Sequence, residues 1–110
     1  MIEKTIGEIE EQICGAEAVS EDRKRELIQL LARLKTEIGD LEQTHAEQAQ
    51  SIVGFAHVSA HEATRESQNP ELQALSVRGL KSSIAGFEKS HPKLVEIVNR
   101  ICDTLANLGI

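Results

Sequence analysis

His57 and His61 are the closest approach in this chain to a metal site. Their spacing of four puts both imidazoles on one face of a helix, as two ligands of one ion require. Glu62 follows directly, and His45 lies upstream as a further donor. The frame His57-Val58-Ser59-Ala60-His61-Glu62 is not the His-Glu-x-x-His of a metalloprotease, because no acid sits beside the first histidine. Two local ligands are too few for a tight site unless a two-fold assembly supplies four. The plainer reading is a pair of solvent-facing helix histidines. The expectation is therefore no metal and no cofactor, with a metal-binding bundle using His57 and His61 kept as the alternative.

Other reactive side chains lack companions. Glu42 and His45 form the i, i+3 pair that di-iron bundles use twice, but the pattern occurs once here and no inward Glu pair matches it. As polar residues on a heptad seam, His45 and Gln48 are better read as a layer that fixes register. His91 precedes Pro92, which suits a residue that caps the following helix or packs across the joint. Ser82 and Ser83 have no Gly-x-Ser-x-Gly context, and Gly79 and Gly86 are isolated rather than part of a phosphate loop. Cys14 and Cys102 stand 88 positions apart with no Cys-x-x-Cys spacing, and read as two small buried hydrophobes. No catalytic constellation emerges, so no enzyme is expected.

The elements that carry these residues are helical. Ile, Leu, Val and Phe fill 30 of 110 positions, enough for a core, while Trp and Tyr are absent and only two Phe and two Pro occur. That composition disfavours a β-sandwich and removes the aromatic platforms of single-strand nucleic-acid binders. The net charge of −6 arises wholly in residues 1–55, which carry 6 basic and 12 acidic side chains. An acidic surface repels phosphate and anionic lipid, so neither nucleic acid nor membrane is expected as a partner. No run of 18 apolar residues and no secretory pattern is present, which points to the cytoplasm.

Periodicity predicts four helices, at about 2–14, 21–67, 70–89 and 92–108. Ile2, Ile6, Ile9 and Ile13 make one apolar stripe that Gly15 ends. Ser20 before Glu21-Asp22 is an N-cap signal. Leu27, Leu31, Leu34, Ile38 and Leu41 continue a heptad with no proline until Pro70, so residues 21–67 read as one helix of roughly 70 Å, kinked at most. Asn69-Pro70-Glu71 opens the third helix. Leu94, Val98, Ile101, Leu105 and Leu108 make the most regular heptad, closed by Gly109 with Ile110 folding back.

The tail Gly86-Phe87-Glu88-Lys89-Ser90-His91-Pro92-Lys93-Leu94, with its close on Leu105-Ala106-Asn107-Leu108-Gly109-Ile110, resembles a small bacterial family, domain of unknown function 4404. The Leu-rich stretch from Arg25 to Leu41 is similar as well. The stretch from Thr44 to Ala85 shows no pattern of that family. The resemblance implies a compact helical protein of bacterial cytoplasm and brings no activity or ligand with it.

Helix lengths constrain the assembly. A 70 Å rod outruns its partners, leaving residues 46–67 and 70–89 as a two-helix hairpin that cannot bury two apolar faces. The Ile52, Phe55, Ser59 line packs on the third helix in cis. Ala49, Val53, Ala56, Ala60 and Ala63 form a second stripe of small residues, open to another helix at close range. The fold expectation is an all-α, long helical hairpin or up-down bundle with coiled-coil-like packing, completed by dimerisation. Ala49, Ile52, Val53, Phe55, Ala56 and Ala60 are the expected homodimer interface. The functional expectation is a non-enzymatic structural or protein-interaction module with an unknown protein partner.

Overall fold

The computed structural model describes residues 2–108 as five helices. Gly109 and Ile110, read above as a terminal cap, lie outside the described residues. Helix α1 (Ile2–Cys14) buries the predicted Ile2, Ile6, Ile9 and Ile13. Its C-terminus is capped from outside, where the Lys24 ammonium donates to the Cys14 carbonyl at 3.1 Å. Helix α2 (Glu21–Glu42) starts at Ser20, whose hydroxyl accepts from the Arg23 amide at 3.3 Å. It buries Leu27, Leu30, Leu31, Leu34, Ile38 and Leu41.

The expected rod does not form. Helix α2 stops at Glu42, and α3 (Ala46–Thr64) begins as a separate helix. The break falls in Glu42-Gln43-Thr44-His45, four successive polar residues that give a continuing helix nothing to bury. Thr44 competes with the helix for its own backbone: its hydroxyl lies 3.4 Å from the Leu41 carbonyl and 2.7 Å from His45 Nδ1. His45 leaves the helical region at φ −137°, ψ 62°. Turning there folds the molecule into 37 × 24 × 22 Å and lets α3 reach a core that a straight rod would have left behind.

Helix α4 (Pro70–Ser83) opens as the sequence predicts, with the Asn69 side chain accepting from the amides of Glu71 and Leu72, both at 3.1 Å. It ends six residues before the expected 89. Gly86 adopts φ +96°, a conformation open to glycine, and its amide donates to the Glu88 carboxylate at 2.7 Å. The chain then restarts at Pro92 as α5 (Pro92–Asn107), burying Leu94, Ile97, Val98, Ile101, Cys102, Thr104 and Leu105.

The helices close into a ring. Helix α1 packs against α2 and α3, α4 against α3 and α5, and α5 returns to α2. The expected pairing of residues 46–67 with the following helix survives as the α3–α4 hairpin. What the length argument missed is α1, which lies along the other flank of α3. With α2 and α3 no longer collinear, one short helix spans both.

Candidate interaction surface

The histidine pair does not converge on a common point. His57 and His61 both face α1, but each meets a different residue. His57 Nε2 lies 3.7 Å from the Glu8 carboxylate, and His61 Nδ1 lies 3.3 Å from the Gln12 amide nitrogen. Glu8 and Gln12 are themselves four apart, so the two contacts repeat one turn along the α1–α3 seam. Glu62, the proposed third donor, is buried and accepts from the Arg65 guanidinium at 2.8 Å, while His61 Nε2 stands 4.0 Å away. Among the described residues no group of three or more His, Cys, Asp or Glu is arranged to hold a metal ion.

His45 lies at a joint, not on a seam. It is the residue before α3, as His91 is before α5, and both have φ −137° and ψ 62°. Each imidazole Nδ1 faces the hydroxyl of the preceding residue, Thr44 at 2.7 Å and Ser90 at 3.0 Å. The two rings and Phe87 stand edge to face, with centroids 5.4 to 6.3 Å apart. His91 therefore packs across the joint, as one of its two sequence readings had it. The pairing with His45 was not legible, because it requires the α2–α3 turn.

The cysteine reading holds for one residue of two. Both thiols are free; Cys102 is buried, and burial raises its pKa from the usual 9.0 to about 11. Cys14 is exposed at the end of α1.

The nominated interface turns out to be interior. Ala49, Ile52, Val53, Ala56 and Ala60 are each no more than 1% exposed within a single chain. The alanine stripe was expected to wait for a second copy; it is covered by this chain's own core, with α1 packed along α3. Phe55 is the one nominated residue that remains at the surface, 42% exposed.

Phe55 belongs to a different face. Among the described residues, the large apolar side chains left in solvent are Phe55, Val58, Leu72 and Leu75, the last 57% exposed. All four lie on the α3–α4 hairpin. They follow the three-and-four spacing of one seam per helix: Ser51, Phe55 and Val58 on α3, and Leu72, Leu75, Gly79 and Ser82 on α4. The two seams meet where the Phe55 ring lies over Gly79. A Cβ built on Gly79 would fall 2.5 Å from the ring. Glycine is thus what lets the aromatic ring lie down across α4. Beyond Phe55, a shallow groove of about 430 Å³ continues between Glu47, Gln48 and Ser51 on one helix and Ser82 and Ser83 on the other.

This face is also nearly free of charge. Residues 48–61 contain no Asp, Glu, Lys or Arg, and neither do residues 72–77. In a chain where 27% of residues are charged, that gap was readable from the sequence and was the signal to follow.

Taken together, the fold and its surface describe a small five-helix bundle with a grooved, weakly charged hairpin on one side. The chain belongs to the family described as domain of unknown function (DUF4404), whose model matches residues 27–110. The match runs through Thr44–Ala85, where no family pattern was legible, so the hairpin lies within the family's extent. No curated protein and no solved structure matches the chain. Among the described residues, no helix is long and apolar enough to cross a membrane.

Proposed function

We infer that this chain is a non-enzymatic structural or protein-interaction module that works as a homo-oligomer. One observation carries the reading: α3 is apolar on two sides, and the fold covers one of them. Its inward side is sealed by α1 and the core, whereas Phe55 and Val58 stand on the outward side at 42% and 49% exposure. Apolar surface of that kind, continued by Leu72 and Leu75 on the neighbouring helix, marks contact sites on otherwise polar proteins. The alternative, a metal-binding bundle built on His57 and His61, has no comparable support, since the two rings address separate residues of α1.

Native mass spectrometry of untagged protein tests both readings in one spectrum. The expected result is a species at twice the 12.1 kDa chain mass with nothing added. A species that stays at the single chain mass throughout the micromolar range overturns the homo-oligomer. Added mass equal to a metal ion, lost in His57→Ala, would install the alternative.

A further inference from the structure

Resting on the homo-oligomer reading, we propose that the outer face of the α3–α4 hairpin is where a second copy of this chain docks. Two hairpins stack face to face as a four-helix layer, with Phe55, Val58, Leu72 and Leu75 of each copy at its centre.

Charge selects this face and this occupant. Each copy carries −6, so two copies repel wherever their charged surfaces meet. On α3 the fourteen residues 48–61 present none of that charge. Phe55 and Val58 there are joined by Leu72 and Leu75 from the uncharged stretch 72–77. Glu47 and Glu71 mark the ends of the two seams, and Arg78 flanks the second, leaving a charge-depleted centre inside a charged rim. A basic partner for an acidic chain would be met by carboxylates, and on this face they stand only at the ends, at Glu47 and Glu71. A second copy needs only self-complementarity, apolar side chain on apolar side chain, which a two-fold axis supplies.

Size agrees with a reversible dimer. Helix α4 is 14 residues long, or about 21 Å, and two helices side by side span about 20 Å. Pairing two such faces removes on the order of 1,000 Å² in all, at the lower edge of what a specific interface needs. The small residues that line the groove, Ser51 on α3 with Ser82 and Ser83 on α4, leave room for a partner side chain. Phe55 packs against Gly79 on one side and is 42% exposed on the other, which is the part a partner would meet. By helical register Val58 and Leu75 then stand level, one on each seam.

The test is sedimentation velocity of the full chain across micromolar concentrations, with three variants. Leu75→Glu and Val58→Glu place a carboxylate twice in the proposed contact and should each raise Kd by about a hundredfold. Both positions are about half exposed in the single chain, so helical circular dichroism should stay that of the wild type, and so should thermal melting below the wild-type Kd, where every chain is monomeric. Ala32→Glu, an exposed position on α2, should leave Kd within about twofold. A dimer unmoved by Leu75→Glu and Val58→Glu overturns this placement while the homo-oligomer stands. Loss of the dimer in Ala32→Glu as well overturns it too. A wild-type chain that is monomeric throughout removes both.

Discussion

Helices α2 and α5 build the core by one rule and the α3–α4 hairpin by another. In α2 and α5 the inward residues are large: Leu27, Leu31, Leu34 and Ile38 on one, Leu94, Ile97, Val98 and Ile101 on the other. Their outward positions carry charge, among them Arg33, Lys35 and Asp40 on α2, and Lys93, Glu96 and Arg100 on α5. On α3 the inward residues are mostly small, Ile52 and Val53 apart. Ala49, Ala56, Ser59, Ala60 and Ala63 point inward, while Phe55 and Val58 remain outside. Small inward residues let α3 approach its neighbours closely, which is how the ring of helices closes within 24 Å by 22 Å in cross-section. Ile52 and Leu80 go inward, while Phe55 and Val58 of α3 and Leu72 and Leu75 of α4 are left at the surface. A helix can be apolar and yet turn part of its apolar surface away from its own core.

That contrast is broken most sharply by a charge on the inner side of α3. Ala56→Glu buries a carboxylate at a site 1% exposed and should destabilise the fold by at least about 4 kcal/mol, visible as lost helical signal or a much lower urea midpoint. The same change at Leu75 should leave the midpoint within about 0.5 kcal/mol when both proteins are measured below the wild-type dimer Kd. A folded Ala56→Glu monomer would mean that the alanine stripe is not interior after all.

A second prediction concerns the seam between the two regions. Cys102 lies on α5 with its sulfur 4.0 Å from the Val77 carbonyl of α4. Its pKa of about 11 in the folded chain exceeds the ordinary 9.0, because burial disfavours the thiolate. The folded state therefore holds the proton longer than the unfolded state does. The stability this group contributes is full below pH 9 and is lost as pH rises toward about 11. Urea midpoints across that window should fall in the wild type and fall less in Cys102→Ala. At neutral pH a maleimide should label exposed Cys14 at once and Cys102 only on unfolding.

The smallest expected effect is a gain. Ser59 lies fully buried on α3, and its hydroxyl has no hydrogen-bond partner. Ser59→Ala removes an unsatisfied polar group and keeps the volume nearly unchanged, so it should raise stability by about 1 kcal/mol in urea denaturation. An equal loss instead would show that the hydroxyl is bonded in solution, for instance to a bound water.

The sequence by itself determined what depends on neighbours along the chain. The isoleucine stripe of α1, the Ser20 and Asn69 caps, the Pro70 and Pro92 starts and the heptad of α5 are all local, set by side-chain spacing and backbone chemistry. So was the family, carried by the tail motif. Tertiary structure decided which side of α3 is inside. Ala49, Val53, Ala56 and Ala60 have the same spacing whether they face a second copy or α1, and periodicity cannot tell one covering helix from another. The choice turned on Thr44 and His45. Where they end α2, α3 folds back beside α1, and the alanines are enclosed while Phe55 is left outside. The pairing of His45 with His91 and the placing of Phe55 over Gly79 follow from the same turn. Both are contacts between residues far apart in sequence, and they exist only once the helices have been arranged around a common core.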